Sequence, residues 1–121
     1  MPILTKALIA LIAFEHFLIL YIEMFAWESL GKKIFKTVPE NLFGPTKGMM
    51  ANQGLYNGFL AAGLIWPFFI ANQKWANSIT TFFLICVVIA GTFGAVTSSR
   101  KIFFIQALPA IVALVMINWI G

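Results

Sequence analysis

Four stretches of this chain are apolar almost without interruption, and short polar segments separate them. They cover residues 7–27, 49–71, 78–96 and 102–119. A helix needs about 20 mostly apolar residues to cross the hydrocarbon of a bilayer. Each stretch is about that long, so the pattern predicts an all-α fold, a four-helix transmembrane bundle forming a single domain over residues 1–121. The second and third connections are tight polar turns, which makes sequential helices antiparallel neighbours. The first, residues 28–48, holds Glu28, Lys32, Lys33, Lys36, Glu40 and Lys47 together with Pro39 and Gly44-Pro45. That mixture suits an interfacial loop with a short amphipathic turn across residues 30–35. Lys6 ahead of the first apolar run has the look of a signal-peptide start. The run is too long for an h-region, however, and Glu15, His16 and Glu23 interrupt it, so it reads as a true helix.

Composition narrows the class further. The 121 residues are 61% hydrophobic and 10% charged, against about 45–50% and about 25% in soluble domains. A small soluble domain cannot hide that much apolar surface. The lone cysteine, Cys86, excludes an internal disulfide and a multi-cysteine metal cluster, and its apolar setting reads as packing. The net charge of +4 resides in loops, which indicates control of topology and no nucleic-acid partner. The first and third loops carry Lys32, Lys33, Lys36, Lys47, Arg100 and Lys101; the other side has Lys6, Lys74 and the terminal amine. The positive-inside rule therefore places both loops in the cytoplasm of a multi-pass cell-membrane protein with both termini outside. Trp27, Trp66, Trp75 and Trp119 fall near span ends, where indoles favour the interface.

Three ionisable residues lie within the first span: Glu15, His16 and Glu23. Each costs roughly 2.5–3.5 kcal/mol or more to place in hydrocarbon. On a helical wheel His16, Glu23 and Trp27 fall nearly in line, and Glu15 is rotated by about 80° from Glu23. This polar sector must face protein or water. The second span answers with Asn52, Gln53, Tyr56 and Asn57, where Asn52 with Tyr56 and Gln53 with Asn57 are four residues apart. Small residues on the same helix, Gly54, Gly58, Ala61, Ala62 and Gly63, permit close helix approach. Depth links the two sets. Glu23 and Asn52 each lie about one turn from the cytoplasmic end, and Asn57 approaches the middle. Gln106, Thr92 and Thr97 share that half, while the outer half is nearly all apolar. The asymmetry predicts a polar pocket that opens toward the cytoplasm. Asn, Gln, Tyr and Thr also serve as neutral glue between helices, at about 0.6–2 kcal/mol each; two carboxylates and an imidazole are harder to explain that way.

Glu15-His16, Glu23-Met24-Phe25 with Trp27, and the block Asn52-Gln53-Gly54-Leu55-Tyr56-Asn57-Gly58-Phe59-Leu60-Ala61-Ala62-Gly63 resemble the domain of unknown function 1304 family of small membrane proteins. Gln106-Ala107-Leu108-Pro109-Ala110 looks like that family's closing motif. The resemblance extends over nearly the whole chain and implies a four-helix membrane protein. It implies no activity.

Three functions fit these residues. In the first, the pocket binds a small lipophilic molecule or transforms it by acid–base chemistry. Glu15, Glu23 and His16 are then the catalytic candidates, with Trp27, Asn52, Gln53, Tyr56, Asn57 and Gln106 around the substrate. Two carboxylates at different depths can divide the roles of acid and base. In the second, the chain is a small proton-coupled transporter, which would require a homodimer because four helices make a narrow pathway. In the third, it is a non-catalytic assembly or lipid-binding subunit whose basic loop holds anionic lipid. No cofactor is expected. A metal is not expected either, since His16 and Glu23 are separated by about 10 Å of helix rise and no ligand spacing such as H-x-x-x-H occurs.

Overall fold

In the computed structural model, which describes residues 1–120, every regular element is helical. Helix α1 covers Ile3–Phe25, α2 Lys47–Ile65, α3 Gln73–Thr97 and α4 Phe103–Ile120. Three of these, α1, α3 and α4, are long and apolar enough to cross a membrane. Helix α2 falls outside that set. Its first half carries Asn52, Gln53, Tyr56 and Asn57, which dilute the apolar run. It also ends six residues before the expected boundary, because Pro67 opens a separate tight turn at Trp66–Phe69. Proline has no N–H with which to continue the α-helical ladder. Helix α3 starts earlier than its apolar run, at the point where the Asn72 side chain accepts the Trp75 backbone N–H at 3.0 Å and caps the helix.

The helices pack in chain order, α1 on α2, α2 on α3 and α3 on α4, and α4 returns to α1. All four contribute to one apolar core: Ile9, Ile12 and Ala13 from α1, Leu64 from α2, Leu84 and Val87 from α3, and Ala110, Ala113 and Ile117 from α4. These residues sit in the half of the molecule away from the long linker. At the linker end, backbones approach closely at two glycines. A Cβ on Gly54 would lie 2.9 Å from the Glu23 Cβ and 3.2 Å from the Leu20 carbonyl oxygen, and one on Gly91 would lie 2.7 Å from the Ala107 backbone nitrogen. The first draws α2 onto the polar sector of α1; the second locks α3 to α4.

The linker is folded down instead of hanging free. Trp27 begins a π-helical turn to Gly31, its ring packs between Phe35 and Phe43, and its indole N–H donates to Thr46 Oγ1 at 3.0 Å. Phe43 is fully enclosed. Outside, the apolar helices are bare. Phe14, Tyr21, Phe82, Ile89, Phe93 and Phe104 are all more than half exposed, and only 22–28% of the apolar stretches of α1, α3 and α4 is buried within the chain. A water-soluble monomer does not present that much contiguous apolar surface.

Candidate functional site

Of the polar sector of α1, Glu23 is the member that meets α2. Asn57 Nδ2 donates to Glu23 Oε1 at 2.8 Å, and both residues are buried. The bond is charge-assisted whenever Glu23 is ionised, which makes it shorter and stronger than a bond between neutral groups. Asn57 also reaches its own helix, with Nδ2 at 3.4 Å from the Gln53 carbonyl. Its donors are thereby engaged and its carbonyl oxygen is left over.

Nearer mid-helix, His16 is completely enclosed. Its Nδ1 is 2.8 Å from the Ile12 carbonyl, and its Nε2 is 2.8 Å from Gln106 Nε2 on α4. A carbonyl only accepts, so Nδ1 carries the hydrogen; the Gln106 amide N–H then donates to the bare Nε2. Both ring nitrogens are occupied by protein. His16 is therefore a cross-brace between α1 and α4. Gln106 reaches it from a π-helical turn, Phe103–Ala107, just ahead of Pro109. Proline cannot donate to the carbonyl four residues back, and a single wide turn is how the ladder absorbs the gap.

Between these two links lies a cleft of about 330 Å³. Glu23, Gln53, Tyr56, Asn57 and Gln106 supply its polar atoms. Ile19, Leu60, Phe35, Phe93 and Ile102 supply most of its wall. Glu23 Oε2 has no partner among the described residues, and Glu23 lines this space. No lysine, arginine or histidine lines the cleft.

Five of the nine expected site residues thus share one cavity, and His16 is tied to it through Gln106. The remaining three stand apart. Glu15 is partly buried, outside the cleft, and has no hydrogen-bond partner among the described residues. Asn52 is exposed and outside it. Trp27 belongs to the linker fold and touches the site only through Phe35, which lines the cleft and stacks on Trp27 at 5.4 Å between ring centroids. Phe35 and Phe93 escaped the sequence reading, because an aromatic in a loop or on an apolar helix carries no signal of its own. Pro109 is the residue in the sequence from which the π turn ahead of it could have been read. Among the described residues, no three His, Cys, Asp or Glu side chains come together.

An all-helical chain with three helices apolar enough for a membrane and a buried carboxylate–amide pair beside a cleft defines a class of small membrane protein. A family model described as "Protein of unknown function (DUF1304)" matches residues 10–118, and the chain belongs to that family. It is 35% identical over 117 residues to the uncharacterized protein YpaA of Lactococcus lactis subsp. lactis (strain IL1403), covering 95% of this chain and 97% of that protein. No solved structure matches.

Proposed function

We propose that this protein spans the membrane four times, with α2 as the polar-lined fourth span, and binds a small lipophilic molecule in the cleft at its linker end. Bare apolar flanks on α1, α3 and α4 support the membrane setting. A helix as polar as α2 is tolerated there because Asn57 is paired with α1 and Gln53 lines the cleft. The excess of basic residues in the first and third loops supports a cytoplasmic position for the linker end. One observation carries the binding reading: a buried carboxylate, held by Asn57 through one oxygen and unpartnered at the other, lines a cavity of about 330 Å³ whose wall is mostly apolar. A group serving only as helix glue would use both oxygens within the protein.

Acid–base chemistry follows from the same geometry. Glu23 Oε2 is placed to take a proton from a bound molecule or give one to it, Asn57 fixes the carboxyl orientation, and Tyr56 and Gln53 flank the ligand. His16 holds Gln106 at the wall and does not itself face the cavity. Glu15 has no part in this reading.

The test is to purify the full chain in lipid nanodiscs and identify small molecules retained by the wild type and by Glu23→Gln. Glutamine keeps the acceptor for Asn57, so the fold survives. We expect a bound lipophilic compound in the wild type and its loss from the variant. Equal retention by both, or none by either, would overturn the proposal.

A further inference from the structure

The polar atoms of the cleft are not evenly divided between donors and acceptors. Asn57 spends its N–H groups on Glu23 and on the Gln53 carbonyl, leaving Oδ1. Gln106 donates one N–H to His16, leaving Oε1 and its second N–H. Glu23 leaves Oε2. An amide offers two donors and one carbonyl, and a carboxylate offers only acceptors. At these three side chains the groups left for a ligand are therefore three acceptors, one of them a carboxylate, against a single N–H of Gln106. The other donors on the wall belong to Tyr56 and Gln53, both exposed. The wall adds two aromatic rings, Phe35 and Phe93, and no cationic side chain. Aromatic faces attract cations, and an anion would meet a carboxylate with nothing to balance it.

Building on the small-lipophile reading above, we infer that the cleft selects a lipophilic amine, whose N–H groups satisfy Glu23 Oε2 and the two free amide carbonyls while its hydrocarbon rests on Phe35, Phe93 and Leu60. Lys32, Lys33 and Lys36 are exposed on the linker and absent from the wall. Their repulsion acts through solvent, where salt screens it within about 8–10 Å. The carboxylate acts at contact, away from water.

Three probes of one shape test this: 1-naphthylmethylamine, 1-naphthylmethanol and 1-naphthoic acid, titrated calorimetrically into the full chain in nanodiscs. A charge-assisted hydrogen bond exceeds a neutral one enough to favour the amine over the alcohol by about tenfold, and the acid should bind weakest. Glu23→Gln should erase the amine's advantage and spare the alcohol. Gln53→Lys, at an exposed wall position that tolerates exchange, should reverse the order of amine and acid; it keeps the test decisive if the glutamine variant fails to fold. Alcohol binding equal to or tighter than amine binding would overturn the amine selection while leaving a lipophile site standing. Binding of none of the three would sink the site itself.

Discussion

Glu23 and His16 show how one helix can carry two ionisable groups to different ends. Glu23 is half-satisfied, with one oxygen on Asn57 and the other unpartnered among the described residues; His16 is fully satisfied, by Ile12 and Gln106. The first arrangement leaves chemistry available, and the second spends it on structure. Removing the partner of a buried polar group leaves that group desolvated and unpaired, at about 1–3 kcal/mol. Gln106→Leu should therefore lower stability by about that amount through the orphaned His16 Nε2, and a second change, His16→Leu, should recover much of it. Chemical unfolding of the two variants checks both statements; an unchanged midpoint for Gln106→Leu would show that the brace carries no weight. Much of this pairing was legible in the residues. Depth matching along two antiparallel helices put Glu23 level with the Asn52–Asn57 segment. The wheel could not say which of Glu15 and Glu23 would meet an amide, since about 80° of rotation separates faces without naming the neighbour that fills each one.

At the scale of the element, glycine decides how near the polar groups come. Gly91 lets α3 rest on the backbone of α4 at Ala107, within the π-helical turn that delivers Gln106. A methyl there meets backbone, which cannot rotate aside. Gly91→Ala should destabilise the chain by about 1–3 kcal/mol and shift Gln106 off His16, whereas Gly48→Ala, with nothing within 4 Å of its new methyl, should be silent. Thermal denaturation of the two variants side by side measures the contrast. Element positions were largely legible from the apolar runs. The end of α2 was not, because hydropathy across residues 49–71 outweighed the local veto of Pro67, and hydropathy says nothing about backbone donors. The linker was least legible of all: no periodicity in residues 28–48 announces that Trp27, Phe35 and Phe43 will pack together.

At the scale of the molecule, two halves divide the work. A sealed apolar core occupies one end, and the cleft and basic loops occupy the other. The orientation proposed for that axis is argued from loop charge. Replacing Lys32, Lys33 and Lys36 with glutamine leaves Lys47, Arg100 and Lys101 against Lys6, Lys74 and the terminal amine, which abolishes the bias. We expect a uniform topology with external termini for the wild type and a mixed one for the triple variant, read by labelling a thiol added at the N-terminus in a Cys86→Ser background. A uniform topology in both would show that something other than loop charge sets the orientation.

Of the four indoles, Trp66, Trp75 and Trp119 are each more than half exposed, whereas Trp27 is 5% exposed and clamped over Gly31, where even a Cβ would lie 2.8 Å from its ring. The chain thus contains its own optical gauge. With the other three replaced by phenylalanine, emission colour and quencher access would follow a single chromophore, one that rests on Phe35 and so on the wall of the cleft.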